Sequence, residues 1–211
     1  MKPLSLALAL ALSATTLFAQ SWRDELRWVE KDLRTQRYEH ARKWSIKAIN
    51  SMCDHIGTGR AASYTLGLAV AYRAMAEQGL QKPDEAHWYW HVATDLYPPL
   101  ADQDWSSFGE AGAWFAAQKS VDKIAQDLPD AVPIKKLEPK CPLSAIKGAY
   151  YQPVIVGAVI DDDGSARCPK IVSPTAAPTL AYAALESLKR WQFQPVSAKY
   201  QVTINFAPPA E

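Results

Sequence analysis

Two histidines stand four residues apart in 87-HWYWH-91, a spacing that puts both rings on one face of a helix and can hold a metal. No Glu follows the first His, so the metalloprotease pattern is absent, and no third ligand lies nearby in sequence. Cys53-Asp54-His55 adds ligand types only if the fold brings it there. Asp161-Asp162-Asp163-Gly164 has the acids of a calcium loop without its alternating spacing or closing Glu, and reads as a turn. Neither a Gly-rich phosphate loop nor Gly-x-Ser-x-Gly occurs. The residues therefore assign no catalytic group, no metal and no cofactor, and the chain reads as a non-enzymatic protein. An enzyme would need a converging acid, base and pocket; His87 and Cys168 are where its activity would be sought.

Cysteine chemistry points the same way. Three cysteines, Cys53, Cys141 and Cys168, allow one disulfide with one thiol left over in an exported chain. Cys141 and Cys168 each precede a proline and flank one candidate strand, so a structural Cys141–Cys168 pair is expected. A redox pair would more often sit as Cys-x-x-Cys, which is absent.

Export itself is read from the first residues, MKPLSLALALALSATTLFAQ. One Lys, an uncharged run from Leu4 to Ala19 and a small residue at the cut outline a signal peptide over 1–19. The run is 16 residues long, short of the roughly 17–25 that a membrane span requires. Formal net charge is +1 with no basic block, which argues against nucleic acid and against adhesion to anionic lipid. A membrane enters only if the signal stays attached.

The elements that carry these residues fall into two halves. From Trp22 to about Leu128 apolar residues recur every three to four positions, and Gly57-Thr58-Gly59, Gly79 and Tyr97-Pro98-Pro99 punctuate the run. Helices are expected over Trp22–Cys53 (two, as a hairpin), Arg60–Gln78, Pro83 to Leu96, and Ser106 or Ser107 to Gln126. Ala41 and Ala48 stand seven apart, as do Ala86 and Ala93 with Trp90 between them. Small residues at that spacing let helices pack closely, and the pattern resembles the second helix of a tetratricopeptide repeat in degenerate form. Seven of the eight tryptophans lie in this half, and at helical spacing they read as core rather than as a ligand groove.

Four prolines between Asp127 and Pro142 mark a linker, 129–145, between the helical domain 20–128 and a second domain, 146–211. There the period becomes two. Val154–Ile160 and Ala166–Val172 form a hairpin across the Asp-Asp-Asp-Gly turn; a helix begins near Thr179 as N-cap; Ala198–Phe206 is a third strand. The fold class is thus α+β, helical hairpins followed by a small β-β-α-β domain. Within 190-RWQFQP-195, Trp191 closes the helix, Phe193 lies two residues on in extended chain, and Pro195 stops the helix from continuing.

The β-β-α-β order, 156-VGAVIDDDG-164 and Arg190-Trp191-x-Phe193-x-Pro195 together resemble the C-terminal domain of TonB, the periplasmic energy transducer, over about 146–206. In this resemblance Gly164, Trp191, Phe193 and Pro195 are structural. It implies a periplasmic protein of a Gram-negative bacterium that takes a segment of a partner, such as an outer-membrane receptor, as an added strand along the last strand. The matching positions are Lys199, Tyr200, Gln201, Val202, Thr203 and Ile204. An edge strand must be used or covered, and a second copy of the chain, giving a homodimer, is the alternative cover. The chain departs from a full transducer: a helical domain stands where a long Pro-rich spacer would, and the 16 residues of Asp127–Pro142 reach at most roughly 50–58 Å extended. A soluble interaction module linked to outer-membrane transport is the reading preferred over a membrane-held transducer variant.

Overall fold

A computed structural model describes residues 22–118, 127–173 and 177–206; the signal expected at 1–19 lies outside them. Helix α1 covers 22–34, followed by α2 (Tyr38–His55), α3 (Arg60–Gly79) and α4 (Pro83–Leu96). The breaks have local causes. Gln36 and Gln81 turn the chain with φ of 56° and 60°, and Pro83 starts α4 with Asp84 and Glu85 in its first turn, where the helix dipole favours acids. Ala41, Ala48, Ala86 and Ala93 are all fully buried, as close helix packing requires. Gly79 gives room to the Tyr38 ring, which a Cβ there would overlap. Trp88, Trp90 and Trp105 are core residues, and the Trp90 and Phe115 rings pack tilted with centroids 4.5 Å apart.

The expected helix from Ser106 or Ser107 begins instead as a 3-10 turn, Ser106–Phe108, because Asp104 accepts the Ser106 N–H at 2.9 Å and tightens that turn. Gly109, at φ 66°, then opens α5 (Gly109–Ala116), and the expected continuation through residues 119–126 lies outside the described residues.

Past residue 127 the chain contributes β1 (Pro133–Lys135), α6 (Leu143–Gly148), β2 (Val154–Ile160), β3 (Ala166–Ile171), α7 (Pro178–Leu188), β4 (Gln192–Phe193) and β5 (Ala198–Ile204). The fold is α+β. A three-stranded sheet has the order β3-β2-β5 with both pairs antiparallel, and β1 pairs with β4 separately. Val154, Val156, Ala158 and Ile160 of β2 are fully buried with Leu180, Ala184 and Leu188 of α7. Each Leu or Ile so buried contributes about 2–3 kcal/mol. Thr179 is not the N-cap expected. Ala177 holds that position because Pro178, with its fixed φ, starts the helix; Thr179 sits inside it, its hydroxyl 3.3 Å from that of Ser144.

Both halves share one continuous apolar core, with α4 lying along β3 and α7 against α3 and α4. Polar contacts cross the same seam: Arg73 donates to the Tyr182 hydroxyl at 3.2 Å, Lys189 to the Tyr89 hydroxyl at 3.2 Å, and the Tyr150 hydroxyl to the Ile56 carbonyl at 3.2 Å.

Candidate functional site

Strand β5 lies at one edge of the sheet, and its backbone alternates between two directions. Seven residues pair with β2 in register, from Ala198↔Ile160 to Ile204↔Val154. Lys199 sends both of its polar groups the other way: its N–H donates to the Pro129 carbonyl at 2.8 Å and its carbonyl accepts from the Ala131 N–H at 2.7 Å. In an antiparallel ladder this alternates with period two, so Gln201 and Thr203 also point their N–H and C=O groups outward, while Tyr200, Val202 and Ile204 bond to β2. Among the described residues nothing takes the outward groups of Gln201 or Thr203, and both side chains are exposed. Of the six positions expected on the edge, Lys199, Gln201 and Thr203 thus carry its hydrogen-bonding capacity. Tyr200, Val202 and Ile204 fix the strand in place.

The opposite edge is closed. Asp95 of α4 accepts the Ile171 N–H at 2.6 Å and pairs with Lys170 at 2.7 Å, so a helix side chain stands where an added strand would lie along β3. Burial pushes the Asp95 carboxyl up from its usual range, against the pull of Lys170 and the Ile171 N–H. Nothing in the local pattern around Asp95 announces this role, because its partners are 75 and 76 residues away.

The aromatic corner aims β5. Trp191, Phe193 and Tyr200 form a cluster with Phe193–Tyr200 centroids 4.8 Å apart and Trp191–Tyr200 5.8 Å apart. Trp191 donates its indole N–H to the Leu137 carbonyl at 2.8 Å, which ties down the segment before α6. Gly164, at φ 80° in the hairpin turn, lies so close to the corner that a Cβ would come within 2.5 Å of the Phe193 carbonyl oxygen. Pro195 stands two residues on, its nitrogen 3.6 Å from where that Cβ would lie. Gly164, Phe193 and Pro195 thus adjoin at the turn, with the Trp191 ring 6.4 Å from that of Phe193.

Residues 129–135, read from composition as linker, run beside this corner. Val132 accepts the Gln194 N–H at 3.0 Å, and Pro133 and Lys135 pair with Phe193 and Gln192.

A second locus holds the histidine pair. His87 and His91 share one face of α4 with ring centroids 6.4 Å apart, and Trp114 meets His87 edge-on at 4.6 Å. They line a cleft of about 730 Å³ with Asp84, Arg167, Cys168 and Lys189, between α4 and the β2–β3 hairpin. Burial, then His87 and Lys170, lower the His91 pKa to about 4; burial lowers that of His87 as well. Among the described residues no three His, Cys, Asp or Glu side chains are placed to hold a metal ion. Cys168 sits at a bulge in β3 with φ 44°, and burial pushes its thiol up, away from the thiolate a nucleophile needs. The Asp161–Asp163 run is a turn: the Gly164 N–H donates to the Asp161 carbonyl at 2.8 Å and the Ser165 N–H to the Asp163 carboxylate at 2.8 Å.

The expected Cys141–Cys168 disulfide is not formed; all three cysteines are free. Their neighbourhood in sequence does not carry over into space. Cys141 precedes α6, which packs on α2 and α7, whereas Cys168 opens into the cleft beside α4. Cys53 is enclosed, and burial raises its thiol to about 12.

No curated protein and no solved structure matches this chain. Residues 138–208, which span α6 to the end of β5 and contain the corner and the hairpin turn, match the family described as Gram-negative bacterial TonB protein C-terminal.

Proposed function

We propose that this chain is a non-enzymatic protein-interaction module of the Gram-negative periplasm, linked to outer-membrane transport, that binds an extended segment of a partner protein along β5. One observation carries the reading: of the two sheet edges, β3 is closed by Asp95 while β5 offers outward groups at Gln201 and Thr203. Main-chain hydrogen bonds along such an edge supply affinity, and exposed alternate side chains supply selection. The helical part, 20–128, acts as a fixed platform that leaves β5 as the edge available; 129–145 connects it to the binding part, 146–211.

The test places a photo-crosslinking amino acid at Thr203 in the full chain expressed in a Gram-negative host. The expected result is crosslinking to one extended segment of an envelope protein, abolished by Gln201→Pro. Crosslinks to a second copy alone would instead make β5 a dimer edge, and an unchanged partner after Gln201→Pro would end the strand-addition reading.

A further inference from the structure

We infer that residues 129–131 form a built-in strap that occupies the first outward position of β5, so that a partner strand pairing beyond Gln201 toward Lys199 must displace it. This rests on the reading of β5 as an acceptor edge and names how that edge is regulated. The strap takes both outward groups of Lys199, running parallel to β5 at Asp130. An incoming strand that begins at Thr203 and Gln201 meets the strap one ladder step later.

Three features make the strap displaceable rather than a permanent strand. Among the described residues its backbone pairing with β5 is one bridge with two hydrogen bonds, whereas β5 pairs with β2 over seven residues. Its side chains hold little: Ala131 is buried, but Pro129 and Asp130 are exposed. Segments with few buried apolar contacts open at low free-energy cost. Finally, Pro129 and Pro133 carry no N–H, so the strap cannot offer a regular ladder of its own to a further strand. Residues 129–131 also precede the segment that matches the family, so the strap belongs to the junction with the helical half.

The consequence is a partner affinity scaled down by the fraction of time the strap is open. Because the strap is tethered, it competes at an effective concentration of about millimolar. Releasing it raises affinity with no new contact.

Amide hydrogen exchange on the full chain tests this, with a synthetic peptide of residues 127–137 as the probe. The Lys199 amide should exchange at least about tenfold faster than that of Val202, which bonds to β2. It should exchange faster again in Ala131→Pro, which lacks the N–H given to the Lys199 carbonyl, with Val202 unchanged. Added peptide should restore Lys199 protection in the variant and leave the native chain unaffected. Equal protection of Lys199 and Val202, or a peptide that restores nothing, overturns the strap. A second variant, Asp130→Cys with Lys199→Cys, closes the strap by a disulfide, confirmed by the mass of the linked peptides. Crosslinking from Gln201 should fall at least about tenfold when it is oxidised and return on reduction. Crosslinking that ignores the lock overturns the strap while strand addition stands; no crosslinking in any form, with the exchange pattern intact, overturns strand addition alone.

Discussion

Along β3 the outward backbone is met by a largely buried carboxylate from α4, which takes the Ile171 N–H at 2.6 Å and Lys170 at 2.7 Å. Along β5 the described residues supply only a bridge at Lys199, and Gln201 and Thr203 face outward. A buried charge must keep its partners, since breaking such a pair costs far more than the pair contributes. A backbone bridge lost at the surface is replaced by water at small cost. One closure is therefore fixed and the other exchangeable, although both solve the same edge problem.

The largest expected effect breaks the fixed edge. Asp95→Ala leaves Lys170 without its carboxylate and the Ile171 N–H without its acceptor, and the loss of two hydrogen bonds to a charged group should destabilise the chain by about 3–4 kcal/mol in urea unfolding. Asp95→Asn keeps an acceptor for Ile171 and should recover part of that loss. If both variants unfold like the native chain, β3 is not held closed by Asp95.

The same seam responds to acid. His91 is 8% exposed on α4, and its folded pKa of about 4 lies below the ordinary 6.5. The groups around it are His87, Asp84, Arg167, Cys168 and Lys170. The folded state thus binds fewer protons than the unfolded chain between these values. Stability from this group is complete above about pH 6.5 and lost as pH falls toward 4, by about 3 kcal/mol in all. Urea midpoints measured from pH 7 to 4 should show that fall, and His91→Gln should flatten it. A slope that survives the substitution would assign the acid response to other groups.

What could be read from the chain beforehand follows physical range. A β-branched, apolar run ending at the Asp-Asp-Asp-Gly turn located Val154–Ile160 to the residue, because both the run and its turn signal are local. The corner was legible for the same reason, since Trp191, Phe193 and Pro195 act within five residues. The i,i+4 spacing also put His87 and His91 on one face. Asp95 was invisible, because a lone Asp near a helix end says nothing about a strand 75 residues on. Pairing of Pro133 and Lys135 with Phe193 and Gln192 was hidden by proline composition, although β-branched Val132 and Ile134 were a signal for extended chain. The expected disulfide failed because flanking one strand in sequence does not bring Cys141 and Cys168 together in space.

A smaller effect sharpens how β5 is aimed. Gly164→Ala places a Cβ 2.5 Å from the Phe193 carbonyl oxygen at a φ of 80°, so the turn or the corner must shift. A loss of about 2 kcal/mol is expected from this strain. Crosslinking from Gln201 should weaken with it, since β5 begins at that corner. Retained stability would mean that the hairpin and the corner move independently.

The smallest effect on stability carries the most for the open edge. Tyr200→Pro and Gln201→Pro differ by one residue but remove hydrogen bonds on opposite sides of β5. Tyr200 pairs with Ala158 and its N–H belongs to the β2 ladder, so Pro there should cost about 3 kcal/mol. Gln201 lies opposite Gly157 with its N–H directed outward, so Pro there should cost about 1 kcal/mol or less, as edge positions tolerate. Partner crosslinking from Thr203 should nevertheless vanish in Gln201→Pro, because the added strand loses a donor and meets the ring. Equal destabilisation by both substitutions would show that β5 is covered on both sides, and the contrast between the two edges would disappear.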